Sequence, residues 1–501
     1  MRIVDGVLLL SATDLTKFTR CEHLAHLDYS NALGTLEPLA PPLRSPASEV
    51  IARRGSEHEK AYVDSLIASG KTVVIIERPR TTLAQLRDAH ERTTAAMRSG
   101  VDYVYQATFF DGRWIGIADL LKRVERPSLL GEHSYEVADV KLSRSVKPHF
   151  LLQLACYSEQ LSSILGAIPE HPIPEQMHVV LGTGEVQSFR CDDYAAYFRH
   201  VRSRFEDFAV AGAASTYPLP VELCSMCEWN LNCWRHLLKD DHLSLVANIR
   251  RGQIARFTRS DIPTLTILGR SAPGRVAKMA PSTVASLHQQ ARLQLEFRES
   301  GKHHYELLPP EAKHGFERLP FPADGDLYFD VEADPFVGSG LTYLFGIALR
   351  EAGQTKYHCW WAHDDAEERV KFEQVMDFIV ERLAACPALH VYHYGAQDAA
   401  SLRRLMNKHD SRDAEVDDLL RRGVFVDIYP IVRQTVRISQ PGYSLKKVEA
   451  FYYEREATWV RDTGGAIVAY ETWLEARQDE MLLEIERYNR DDCVSLAELH
   501  A

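Results

Sequence analysis

The chain has 501 residues, 45% apolar and 26% charged, with a formal net charge of -12. At about 150 residues per domain this length fits about three domains, and the composition excludes long-range disorder. No run of eighteen or more apolar residues occurs, which excludes a helical membrane span, and the negative total argues against a simple nucleic-acid binder, which should be basic.

The start, MRIVDGVLLLSATDLTKF, reads as no signal peptide, because Asp5 interrupts its front and no small-residue cleavage site follows. The nine cysteines form an odd set without a regular framework, which points to a reducing compartment and a cytoplasmic location. Charge is unevenly placed: residues 1–240 carry a net of -4, residues 241–320 +5 and residues 321–501 -13. These three segments are the expected domains.

The first segment opens with helical patterns. Strand-like runs follow, KTVVIIER, DYVYQATFFDGRWIGIADLLKRV and SYEVADVKLS, then a helix at FLLQLACYSEQLSSIL and a strand at MHVVLG. This is a mixed α/β pattern. In a strand, residues i and i+2 share a face, so Asp139 and Lys141 project together, and Asp119 at the end of the preceding strand can meet them. Two carboxylates and a lysine so placed suit phosphodiester hydrolysis. The carboxylates hold a hard divalent cation and the lysine offsets developing charge. His58, in RRGSEHEK, is a further candidate ligand, and Gln153 and Tyr157 share a helix face.

Taken alone, D-x-K is common on solvated strand surfaces. The order RGSEH, GIAD, DVK and QLACY, however, resembles the RecB-like branch of the PD-(D/E)XK nucleases over roughly residues 10–240. The resemblance implies catalytic roles for His58, Asp119, Asp139 and Lys141, with Gln153 and Tyr157 as the accessory motif. Glu136 is a candidate supporting carboxylate that the motif does not require.

Cys21 lies near the start of this segment, and Cys224, Cys227 and Cys233 crowd near its end in CSMCEWNLNC. Four thiolates can hold a [4Fe–4S] cluster or a structural zinc ion. One distant cysteine before a nuclease core and three after it resemble the iron–sulfur RecB-like nucleases. That resemblance implies a structural cluster that ties the first helix to the domain's tail and shapes a path for single-stranded DNA. The other five cysteines read as ordinary thiols.

The middle segment reads as helices at NIRRGQIARF, TLTILGR, VAKM and STVASLHQQARLQLEFRES, followed by a Pro- and Gly-rich linker. Arg250, Arg251, Arg256, Arg259, Arg270, Arg275 and Lys278 make it basic. It looks like a helix-hairpin-helix-type connector, whose amides and arginines can grip phosphates, although a solvated spacer has the same composition.

The last segment restarts with strands DLYFDVEAD and LTYLFGIALRE, a helix at ERVKFEQVMDFIVERLAA, a strand at ALHVYHYG and closing helices. Asp330 and Glu332 share one strand face, Asp398 follows a strand, and Tyr488 and Asp492 share a helix face. Two metals about 3.5–4 Å apart need several such carboxylates, and a tyrosine beside them can orient the attacking water. Asp491 reads as a solvated neighbour and Asp427 as structural. The order D-x-E, Asp, Y-x-x-x-D resembles the tyrosine-bearing DEDD exonucleases of the RNase H-like fold. It departs from them at Gln397, where an aromatic residue often stands.

The two modules together resemble the bacterial RecB-like nuclease family, which joins an iron–sulfur PD-(D/E)XK domain to an RNase H-like exonuclease domain, sometimes followed by a superfamily I helicase. No G-x-x-x-x-G-K-[ST] loop occurs within these residues, and the abrupt end at ELHA suggests a fragment of a longer chain. The expectation is a two-site, Mg²⁺- or Mn²⁺-dependent DNA nuclease for end processing in repair or recombination, acting on single strands or ends. A helicase would partner it in cis or in trans. A nucleic-acid-binding scaffold with degenerate sites and an RNA-directed exonuclease are the alternatives.

Overall fold

The computed structural model describes residues 1–79, 82–166, 174–211, 216–271, 274–338, 340–351 and 353–501. The chain forms two compact units, Met1–Arg235 and His236–Ala501. Among the described residues, no helix is long and apolar enough to cross a membrane.

The first unit is built on an eight-stranded mixed sheet: β1 (Arg2–Val4), β2 (Val7–Ser11), β3 (Val73–Ile75), β4 (Tyr103–Phe110), β5 (Trp114–Val124), β6 (Ser134–Val140), β7 (Gln176–Val180) and β8 (Val186–Arg190). The β4–β5 hairpin is closed by Asp111, whose Oδ1 accepts the Arg113 and Trp114 amides at 2.9 and 2.6 Å, with Gly112 at φ 101°. β5 continues antiparallel to β6, and β6 runs parallel to β7. All seven residues of β6 are buried, as expected of a strand covered on both faces. The helices Ala12–Arg20, Pro148–Leu165 and Cys191–Val210 contribute Leu15, Phe18, Leu154, Leu161 and Phe205 to one core against the sheet.

In the second unit, β9 (Tyr305–Leu307) pairs with β15 (Val436–Ile438) in a short ribbon. The main sheet contains β10 (Leu327–Asp334), β11 (Leu341–Glu351), β12 (Gln354–Trp361), β13 (Val391–His393) and β14 (Phe425–Asp427) in the order β12-β11-β10-β13-β14. β10, β11 and β12 are antiparallel, and β13 and β14 run parallel to β10. The period-2 alternation of β10 divides its side chains. Leu327 and Phe329 enter the core with Phe372, Ile379 and Leu402 of the helices Asp365–Ala385 and Ala396–His409. Tyr328 faces the helix Glu480–His500, whose Cys493, Leu496 and Ala497 share its cluster.

The basic segment lies inside this second unit. Its helices Arg251–Thr258, Leu265–Arg270 and Pro281–Ser300 build a core from Phe257, Leu265, Leu268 and Ala291, and Gln290 Nε2 donates to the Ile438 carbonyl at 2.8 Å. Residues 276–279, VAKM, form a turn instead of the expected helix, with Lys278 at φ 59°. Ala272 and Pro273 of the same stretch lie outside the described residues. The Pro-rich linker is also seated: Gly315 N–H donates to Gln434 Oε1 at 3.0 Å.

Candidate functional site

In the first unit, the β5–β6 register sets Leu120 opposite Ala138. Carried one residue further, it sets Asp119 opposite Asp139, and directly opposed residues of an antiparallel pair point to the same face. The ladder opens there, and Asp119 Oδ2 accepts the Val140 amide at 2.9 Å. Lys141 Nζ lies 2.5 Å from Asp139 Oδ2, as the i, i+2 spacing requires. Asp139 is fully buried, and its Oδ2 is paired with the Lys141 ammonium. Burial first, then the Asp139 charge, pushes the Asp119 carboxyl well above its usual range. Burial works to lower the Lys141 pKa, but Asp139 and Asp119 outweigh it and hold the ammonium protonated.

The helix Pro148–Leu165 crosses beside these strands. Gln153 Nε2 donates to the Tyr157 hydroxyl at 3.1 Å, and burial, followed by the Asp139 charge, raises the Tyr157 pKa. The helix Pro46–Ala68 carries His58, which is half-buried with its Nε2 enclosed and without a hydrogen-bond partner. Its neighbour Glu59 is the residue whose charge reaches both Asp119 and Lys141, and Glu59 accepts from Gln106. Sequence reasoning missed Glu59, although RGSEHEK offers it one position beyond the histidine. Glu136 holds β7 instead, by accepting the Gln176 amide at 3.0 Å and pairing with His178 at 2.9 Å. It lies three residues from Asp139, and an odd offset puts it on the other face of the strand.

Cys21 caps the helix Glu22–Ala32, with Sγ accepting the Leu24 amide at 3.4 Å. Cys21, Cys227 and Cys233 all pack against the cluster of Leu24, Leu27 and Trp229. Burial, followed by the charges of the neighbouring thiols, pushes Cys227 up to about 11 and Cys233 to about 12, and Cys21 and Cys224 are among those neighbours. Trp229 Nε1 donates to Asp28 at 2.9 Å and Lys17 pairs with Asp28 at 2.8 Å, which ties the two ends of the unit together. Among the described residues, no three of these sulfurs lie mutually within 4.8 Å.

In the second unit, Asp330 and Glu332 of β10 and Asp492 of the helix Glu480–His500 offer carboxylate oxygens that all lie within 4.8 Å of one another. Asp398 is buried in the first turn of the helix Ala396–His409, and Gln397 precedes it there. The four charges sense one another. Burial, then Asp492 and Glu332, pushes Asp330 well above its usual range. Burial, then Asp492, pushes Glu332 to about 8, and burial, then Asp427 and Asp492, pushes Asp398 to about 8. Asp427 itself is occupied structurally, with Oδ1 accepting the Gly395 and Tyr429 amides at 2.8 and 3.0 Å.

Tyr488 is buried one turn before Asp492 and receives a hydrogen bond from Lys446, whose Nζ also lies 3.4 Å from Asp492 Oδ2. Arg455 bridges Glu449, with two contacts of 2.6 Å, to Asp492. Asn489 Nδ2 donates to Asp330 Oδ2 at 2.7 Å and is itself held by the Tyr357 hydroxyl at 2.7 Å. Gly346 sits opposite Asp330 on β11, where a Cβ would collide with the Asn489 side chain. Lys446, Arg455 and Asn489 were not singled out from the sequence. Asp491, expected on a solvated face, is buried and accepts from the Tyr453 hydroxyl at 3.0 Å and the Glu456 amide at 3.2 Å, because the 453–456 segment covers that side of the helix.

Such a sheet, with clustered carboxylates on its central strand and closing helix, is the frame of a nuclease-type phosphodiesterase that works with divalent metal. Residues 327–501 match the RNase_H_2 family of the RNase_H superfamily, so this part of the chain is an RNase H-like domain. No curated protein matches the chain.

Proposed function

We propose that the protein is a metal-dependent DNA nuclease with two phosphodiesterase sites, a RecB-like PD-(D/E)XK site in the first unit and a DEDD 3′–5′ exonuclease site in the second. It would act in the cytoplasm on single strands or ends during repair or recombination, with a helicase in cis or in trans supplying them. The observation that carries this reading is the convergence of Asp330, Glu332 and Asp492 beside Tyr488 in an RNase H-like domain. Three converging carboxylates, two of which (Asp330 and Glu332) have their pKa values pushed up by burial and by their acidic neighbours, are an excess of negative charge that a divalent cation fits.

Asp330, Glu332, Asp398 and Asp492 would hold Mg²⁺ or Mn²⁺, which supplies Lewis acidity toward phosphate and water. The Tyr488 hydroxyl orients the attacking water, and Lys446 fixes that hydroxyl while adding positive charge beside the phosphate. Arg455 holds Asp492 in place through Glu449. In the first unit, the buried carboxylates of Asp139 and Asp119 would share a cation, and Glu59 and His58 are carried together on one helix. Lys141 offsets charge on the cleaved phosphate, and Gln153 and Tyr157 contact the strand being cut.

Cys21, Cys224, Cys227 and Cys233 would hold a [4Fe–4S] cluster that ties the ends of the unit together. A structural zinc ion held tetrahedrally by the same four thiolates is the alternative.

The test is cleavage of end-labelled single-stranded DNA and RNA by the full chain, with Mg²⁺ or Mn²⁺ and with EDTA. Asp330→Ala is expected to abolish 3′ trimming and spare the first activity, with Lys141→Ala doing the reverse. EDTA should stop both. Metal-independent cutting, or wild-type cutting by both variants, overturns the reading.

A further inference from the structure

Beside the first centre lies a cavity of about 650 Å³ that the two-site reading leaves unused. Its floor is the stripe Pro148, Leu151, Leu152 and Ala155 of the helix that carries Gln153 and Tyr157. These residues lie on the opposite face of the helix from Gln153 and Tyr157. A helix is ~10 Å across, so the cavity stands about one helix diameter from the cleavage residues, and the loop before the helix N-terminus joins the two. Phe189 of β8 and Tyr194 and Tyr197 of the helix Cys191–Val210 form the aromatic wall. Phe189 and Tyr194 meet edge to face at 6.1 Å, while the Tyr197 side chain is 59% exposed.

The rim is cationic. Arg144 and Lys147, both exposed, belong to the loop that runs on from Lys141 into the helix. That helix begins with no side-chain cap, which leaves the positive end of its dipole at the rim. His149 reports the local field: burial first, then Arg20, Lys147 and Lys141, lower its pKa to about 4. It is neutral at ordinary pH, surrounded by fixed positive charge.

The geometry points to a base-binding subsite: a nucleobase of a single strand stacks against Phe189, Tyr194 and Tyr197, while Arg144 and Lys147 take the phosphates leading to Lys141. Aromatic walls recognise the face of a base, and cations at the mouth recognise its backbone. A base paired in a duplex is already stacked on both faces and cannot enter, so the cavity selects unpaired strands. Stacking is indifferent to base identity, so little sequence preference follows. The assignment rests on the nuclease reading of the first centre and extends it to the substrate's form.

The test is binding of a fluorescein-labelled oligothymidine to the full chain by anisotropy, in EDTA so that nothing is cut. Tyr197→Ala is expected to weaken binding about tenfold, the effect of losing one stacking partner worth ~1.4 kcal/mol. Its exposure makes the fold indifferent to the change, which an unchanged melting temperature confirms. Lys147→Ala should flatten the dependence of affinity on salt by about one charge. A blunt duplex of the same length should bind more weakly and lose nothing in Tyr197→Ala. An oligouridine arm separates RNA from DNA as the source of the strand.

Wild-type affinity in Tyr197→Ala and in Phe189→Ala overturns the subsite while leaving cleavage, and so the nuclease reading, intact. Weakened binding by variants of a parent that cuts no strand overturns the nuclease reading and keeps the subsite. A parent that binds no oligonucleotide overturns both.

Discussion

The Lys446 ammonium donates to the Tyr488 hydroxyl and stands 4.2 Å from the centre of the same ring. One cation thus restrains the hydroxyl and lies against Asp492 as well. Lys446→Met is expected to lower the turnover of 3′ trimming by about 10–100-fold with little change in KM, since a positioned charge or proton donor acts mainly on the transition state. Single-turnover kinetics on a labelled strand measures this, and cleavage at the first site serves as the internal control.

Metal and pH should be linked in the second unit. Glu332 and Asp398 titrate at about 8 in the folded chain, against about 4 for carboxyls in an unfolded one. Between those values the folded state binds more protons than the unfolded state, so stability falls as pH rises. The loss is absent below about pH 4 and complete above about pH 8. In EDTA the melting midpoint of this unit is expected to drop by ~5 °C or more between pH 6 and pH 8. Mg²⁺ binds the ionised carboxylates and should raise the midpoint more at pH 8 than at pH 6. Thermal melts with and without the ion at both pH values decide it.

Glu59, not the expected histidine alone, senses the first centre. Glu59→Gln keeps the Gln106 contact within reach of an amide but removes a charge. First-site cleavage should fall about 100-fold, with the metal requirement shifted to higher Mg²⁺. Titrating activity against Mg²⁺ for Glu59→Gln and His58→Ala ranks the two residues.

Cys21 and Cys224 stand at the two ends of the first unit. A cross-link closing a loop of some two hundred residues contributes up to ~5 kcal/mol through the unfolded state. Cys21→Ser is expected to abolish the visible absorbance of anaerobically purified protein and to lower the first unit's melting temperature. The second unit's transition should stay in place, which calorimetry can resolve. Bound zinc without visible absorbance would replace the cluster.

The sequence made the strand-borne pairs legible. Asp139 with Lys141 and Asp330 with Glu332 follow from an alternation that the backbone enforces, and Tyr488 with Asp492 from helical spacing. What stayed hidden came from elements without a motif. Lys446 and Arg455 arrive at the second site from the segment between β15 and the closing helices, and no periodicity says where such a segment lands. Asp491 shares a helix with Asp492 but meets a covering loop, so the chain's own wrapping, invisible in the helical pattern, decides its burial. The basic segment was legible as charged and helical, but its folding into the second unit rests on long-range contacts such as Gln290 with Ile438 and Arg437 with Ser286, which no local pattern announces.

Gly346 gives the carboxylate centre of the second unit a reserved volume. The Asn489 amide reaches Asp330 through space that any side chain on that residue of β11 would fill. A single added methyl group would act as a wedge, prying the amide from a carboxylate while every acidic residue of the centre remained in the sequence. The alignment of the site is therefore written partly in missing atoms, and an inventory of acidic residues alone would pass a protein whose centre had come apart.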